Sequence, residues 1–243
     1  MIALFTDYSL SGPYVGQLHA VLKQQVPEIP VVDLMHDAPN FNAKVSAYLL
    51  ASLIEPFQSS TVFCCVVDPG VGSERLPCIV EADGKYFVGP DNGLFTIIAR
   101  RANVVKWHTI SWQPEKLSKT FHGRDLFVPV AAALASNNFP ECKEVNVDSK
   151  VDRYNWPHDY FALIYIDGFG NVMTGIRADS VHISTKLSVA DVEFCYADHF
   201  SAVEESVAFW YRNSLGLVEF AVNCGRAADL QGMDIGQVVG VLG

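Results

Sequence analysis

The sequence predicts an α/β protein, with an N-terminal α/β domain on a largely parallel central sheet and a smaller β-rich domain after it. Three observations lead there. Near the start, short apolar runs alternate with segments of helical period, the pattern of strand–helix–strand units whose crossovers leave neighbouring strands parallel. The run over 61–67 is apolar and β-branched, as a buried strand is, and stops on a carboxylate. Beyond residue 158 the helical period gives way to short β-like runs separated by turns.

Residues 2–6 read as the first strand, ending at Asp7. Ser11 or Gly12 caps the following helix and Pro13 takes its first position, where a missing N–H costs nothing. Tyr14, Val15, Leu18, Val21 and Leu22 then share one helical face, and Pro27 and Pro30 close the element. Residues 31–34 are a second strand, 44–54 a helix with Val45, Leu49, Leu53 and Ile54 inward, and 61–67 the third strand. Asp7 and Asp68 therefore end strands on the same sheet edge. Residues 78–82 and 85–89 flank Asp83-Gly84, the favoured two-residue hairpin turn. Gly89-Pro90-Asp91-Asn92-Gly93 is a second turn, leading into a helix over 94–101.

Phe121-His122-Gly123-Arg124-Asp125 precedes an apolar helix over 126–135, whose Pro129 is tolerated only near the first turn. His122 thus stands just before a helix N-terminus, where free N–H groups favour anions or developing negative charge. Polar, irregular sequence between 137 and 158 reads as the interdomain connection, giving domains of 1–138 and 159–243 joined by 139–158. In the second domain, 160–167 and 172–176 are strand-like on either side of a Gly-rich turn. Further β-runs fall at 187–189, 192–194, 217–222 and 237–241, and 201–211 fits helix or loop equally.

The 243 residues carry a net charge of −10, which argues against a nucleic-acid partner because phosphates demand a basic face. No 18-residue apolar span and no basic, apolar leader is present, so the expectation is a soluble cytoplasmic protein with no membrane partner. The six cysteines show no CxxC spacing, which points to free thiols in a reducing compartment and to no metal. P-loop, GxGxxG, GxSxG and HExxH patterns are all missing. What chemistry remains lies in Gly-rich loops: Asp68 and Arg75 in VVDPGVGSER, His122 in FHGRD, and Asp7 nearby. An acid, a fixed cation and an imidazole suit proton transfer, and the same residues suit a structural ion pair and a helix cap.

Taken together, VVDPGVGSER (66–75), VGPDNGL (88–94), FHGRD (121–125) and DGFGN (167–171) resemble the SAM hydroxide adenosyltransferase (SAM hydrolase) family, relatives of the fluorinase and chlorinase enzymes. The resemblance spans nearly the whole chain. It implies a C-terminal β-barrel-like domain and a homotrimer in which S-adenosyl-L-methionine (SAM) binds between the N-terminal domain of one subunit and the C-terminal domain of the next. It implies attack of water or hydroxide on the 5′ carbon of SAM, giving adenosine and L-methionine, with SAM as substrate and no cofactor. Asp68, Arg75 and His122 match the water-activating triad. Asp7 matches the carboxylate on the ribose hydroxyls, and Phe41 an aromatic that stacks on adenine. Asp167 matches the partner of the methionine ammonium. Phe169 and Asn171 match the adenine side of the pocket, and Gly123, Ser214, Arg226 and Ala227 fall at further substrate-pocket positions.

Where the family often has TDFGLKDPYVG, this chain reads TDYSLSGPYVG, so Gly12 replaces an acidic residue able to reach the amino-acid end of SAM. The halogenases carry tyrosine at the Asp68 position and lack the triad, so its retention points to water over halide. A SAM- or adenosine-binding protein without turnover and a halide-dependent adenosyl transferase are the rival readings.

Overall fold

Strands β1 (Ile2–Thr6) and β3 (Val62–Val66) are buried at every position. The computed structural model, which describes residues 1–242, sets them side by side within a seven-stranded sheet. The order is β2 (Val31–Met35), β1, β3, β5 (Lys85–Pro90), β4 (Pro77–Ala82), β6 (Val105–Ile110), β7 (Cys142–Val145). The first four are parallel neighbours, and the last four are antiparallel neighbours. Strands covered on both faces read as continuous apolar runs, which is why β1 and β3 were legible.

Alternation along the strands divides the core between two faces. Ile2, Leu4, Cys64 and Val66 pack with Leu18 and Leu22 of α1 (Tyr14–Gln25) and Val130 and Leu134 of α4 (Val128–Ala135). Ala3, Phe5, Phe63 and Cys65 pack with Leu50 of α2 (Ala43–Leu53) and Ile98 of α3 (Thr96–Arg101). At roughly 25 cal/mol per Å² of apolar surface, each such large side chain contributes about 1.5–3 kcal/mol of transfer free energy.

Helix starts differ slightly from expectation. Pro13 is the residue before α1 rather than its first member, and no side chain caps that helix. Asn42 caps α2 by accepting from the Val45 N–H. Within the segment expected to connect the domains, β7 pairs with β6, and α5 (Val147–Asp152) packs Val147 and Val151 on the second face. The compact first unit accordingly runs from Met1 to Asn155.

The second unit, from Trp156, is a separate seven-stranded sheet. Its order is β14 (Val239–Leu242), β10 (Lys186–Val189), β11 (Val192–Tyr196), β12 (Ala208–Arg212), β13 (Leu217–Val222), β9 (Val172–Arg177), β8 (Tyr160–Ile166). An isolated bridge from Ala162 of β8 to Val238 beside β14 nearly closes it into a barrel. Its interior holds Leu163, Leu187, Phe194, Trp210, Val218 and Phe220. The undecided stretch 201–211 resolves into the short 3-10 turn Phe200–Ala202 and the first part of β12. All six cysteines are free, and burial pushes the Cys64 thiol up to about 12. Among the described residues no helix is long and apolar enough to cross a membrane.

Candidate active site

Parallel pairing of β1 with β3 puts Thr6 opposite Val66, so Asp7 and Asp68 leave the sheet at the same carboxyl edge. Ligands of open α/β sheets gather at that edge. After Val67 the chain turns through Pro69, Gly70 and Gly72 and brings Arg75 back onto Asp68. Gly72 has φ +80°, and a Cβ there would lie 2.5 Å from the Lys119 carbonyl oxygen, so only glycine fits. Ser73 braces the loop, its hydroxyl donating to the Gly70 carbonyl and accepting from the Arg75 N–H.

Arg75 is the middle member of the triad. Its Nε donates to both Asp68 carboxylate oxygens at 3.0 and 2.9 Å, and Nη2 donates to Oδ2 at 2.5 Å. Nη2 also donates to His122 Nδ1 at 2.8 Å. Both members of the ion pair are largely out of solvent, with side chains 9% and 4% exposed. The guanidinium also lies 5.1 Å from the centre of the Phe127 ring.

A π turn, Gly123–Phe127, lies between His122 and α4, with the Val128 N–H bonded to the Gly123 carbonyl. An i→i+5 turn is wound more loosely than an α-helix, so residues five apart come nearer to one face. His122 and Phe127 are five apart, so both reach Arg75. Guanidinium has no acceptor, so the shared hydrogen belongs to Arg75 and His122 Nδ1 carries a lone pair. Neutral His122 then bears its proton on Nε2. Burial first, and Arg75 second, hold its pKa below the usual histidine value.

Asp68 lines a recess of about 380 Å³ with Asp7, Tyr8, Tyr14, Phe41 and Gly123. Burial pushes the Asp7 carboxyl up, partly offset by the Phe41 N–H, which donates to Asp7 Oδ2 at 3.3 Å. Phe41 is 76% exposed and sits at φ +59°, a strained conformation for a bulky residue that this bond helps to hold. Tyr8 was not singled out from the sequence. Its ring packs on Tyr14 and Phe121, and its hydroxyl lies so close to Gly123 that a side chain there would collide. Adjacency to Asp7 was the available signal.

The remaining expected residues gather in the second unit. Asp167, Phe169, Asn171, Ser214 and Arg226 line a recess of about 800 Å³. Asp167 organises its own turn, accepting from the Phe169 and Asn171 N–H groups and from the Asn171 amide. Gly170 packs against Arg226, and its carbonyl accepts from the Ala228 N–H, which joins the two wall segments. Ala227 itself is fully buried, off the recess lining.

Glu219, missed in the sequence, also lines this recess, although only 2% of it is exposed. It lies opposite Tyr211, whose hydroxyl donates to Oε1 at 2.7 Å, while the Asn213 amide donates to Oε2 at 2.5 Å. Burial pushes its carboxyl up. A lone acid inside the apolar run LVEFAV was the signal.

Residues 2–144 match the SAM hydroxide adenosyltransferase N-terminal domain model, and residues 161–240 the corresponding C-terminal domain model. The chain is 36% identical over 186 residues to the (R)-S-adenosyl-L-methionine hydrolase of Methanocaldococcus jannaschii, covering 74% of this chain and 68% of that one. It is 33% identical over 258 residues to the hydrolase of the same name from Thermus thermophilus, covering 99% of each. A crystal structure of an uncharacterized conserved protein from Thermotoga maritima matches with a TM-score of 0.86 at 29% identity, covering 100% of both chains. A conserved hypothetical protein from Thermus thermophilus matches at 0.76 and 29%, covering 99% of both.

Proposed function

This chain belongs to the SAM hydroxide adenosyltransferase family, and from that premise we propose that it hydrolyses S-adenosyl-L-methionine to adenosine and L-methionine. The relatives' names specify the R sulfonium, so that epimer is the preferred substrate. The observation that carries the reading is Arg75 bonded at once to Asp68 and to His122 Nδ1.

Water attacks C5′ in line with the C–S bond. The C5′–O bond forms, the C5′–S bond breaks, sulfur keeps the electron pair as a neutral thioether, and water loses one proton. The leaving group needs no acid, so the residues must orient water and take its proton. With Nδ1 occupied by Arg75, His122 offers only an Nε2–H, a donor that orients the oxygen. Asp68 is the remaining acceptor, since a carboxylate has lone pairs beyond those Arg75 fills. Arg75 stabilises hydroxide character on the attacking oxygen.

Asp7 takes the ribose hydroxyls, and Phe41 stacks on adenine beside Gly123. Asp167 meets the methionine ammonium, and Phe169, Asn171, Ser214 and the Arg226-Ala227 segment complete the pocket. SAM is the substrate and no cofactor takes part. Phe41 and Phe169 are 76% and 80% exposed, which supports closure of the site by a second copy in a homotrimer. The six free thiols support a cytoplasmic location.

The test is to incubate the protein with each sulfonium epimer in heavy-oxygen water, with and without chloride, and analyse products by mass spectrometry. Adenosine carrying the heavy oxygen, formed faster from the R epimer, is the expected outcome. Tight binding without product, or a 5′-chloro nucleoside, would overturn the reading.

A further inference from the structure

The turn Gly89-Pro90-Asp91-Asn92-Gly93 has no part in the mechanism above, yet it grips both ends of the loop that carries Asp68 and Arg75. The Asn92 Nδ2 amide donates to the Val67 carbonyl at 2.8 Å, immediately before Asp68. The Asp91 N–H donates to the Leu76 carbonyl at 2.9 Å, immediately after Arg75. Two consecutive residues thus hold the carbonyls that bracket loop 68–75. Their own footing is fixed. Asp91, its side chain 4% exposed, accepts from Lys150 Nζ at 2.5 Å. Asn92 Oδ1 accepts from the Leu94 N–H at 3.3 Å, which holds the amide group from its other side. Pro90 and Pro77 are paired at the ends of β5 and β4, so the clamp hangs directly from the sheet.

We infer that Asn92, with the Asp91 backbone, is a positioning residue for water activation, setting where Asp68 meets Arg75 and His122. The assignment rests on the triad reading given above. Amide-to-carbonyl grip at a loop base fixes displacement to tenths of an ångström, and a misplacement of about 1 Å at a reacting group costs on the order of 100-fold in rate. Asn92 lines neither candidate substrate recess, nor do its hydrogen-bond partners Val67 and Leu94, so its loss should fall on turnover and not on substrate affinity.

Two variants test this. Asn92→Ala removes both bonds of the side chain. Asn92→Asp keeps its volume and the acceptor for the Leu94 N–H while losing the donor to Val67. Both should lower kcat by at least about tenfold with KM within about twofold, and both should bind adenosine with unchanged Kd by calorimetry. Wild-type kcat in Asn92→Asp, or a KM rise matching the loss of rate, overturns the proposal. Asp68→Ala, measured in parallel, separates the two readings. If Asp68→Ala is inactive while Asn92→Asp is fully active, the clamp alone fails. If Asp68→Ala keeps its turnover, the triad reading fails and the clamp falls with it.

Discussion

The two recesses of this protein hold carboxylates of opposite character. In the first unit, Asp68 is bound by a guanidinium that also engages an imidazole, at the end of a parallel strand. In the second, Glu219 lies in the middle of an antiparallel strand and is satisfied by a phenol and an amide, with burial pushing its carboxyl up. One arrangement sets a carboxylate against a fixed cation, as the proposed proton transfer requires. The other is a neutral-donor network that sets the shape of a largely apolar, aromatic wall. Substitutions at Asp68, Arg75 and His122 should therefore act on kcat and those in the recess of the second unit on KM.

The strongest way to break that contrast is Asp68→Ala, which removes the proposed acceptor. Turnover should fall by about 1,000-fold, of the order lost with a general base, while adenosine binding persists. Retained activity in a product assay would dismiss the acceptor role. A smaller effect is expected in the second unit. Phe169→Ala should raise KM by about tenfold, the range of one base–aromatic stack, with kcat unchanged. A fall in kcat alone would place Phe169 on the wrong side of the comparison.

The smallest effect is electrostatic. Burial and the Arg75 cation lower the His122 pKa below its ordinary value of 6.5, so the unfolded chain takes up this proton at higher pH than the folded one. His122 therefore costs no stability above the unfolded pKa, and its cost grows as pH falls from there through the folded pKa. In Arg75→Met the His122 pKa, followed by NMR, should rise. No rise would mean that Arg75 does not set the protonation state of His122.

Local patterns carried much of this far. Fully buried β1 and β3 were legible because central parallel strands are apolar on both faces. The Asp83-Gly84 hairpin was legible from its turn chemistry. Strands β6 and β7 were not. VKWHTI and CKEV mix polar and apolar residues, and their pairing partners lie far along the chain. The π turn was hidden for a related reason: Gly123–Phe127 has no sequence period of its own, and only its connection to α4 and its contact with Arg75 reveal it.

By itself the sequence determined the candidate chemistry: which residue types occur, that Asp7 and Asp68 end strands, and that glycine-rich loops follow. Tertiary structure alone decided how that chemistry is connected. Arg75 is the hinge of the triad because residues 47 positions apart meet at 2.8 Å, and that contact sets the His122 tautomer. Glu219 became a buried wall residue only when β12 paired with β13. Proton position and burial depend on distances between groups remote in the chain, and those distances exist only after the sheets form.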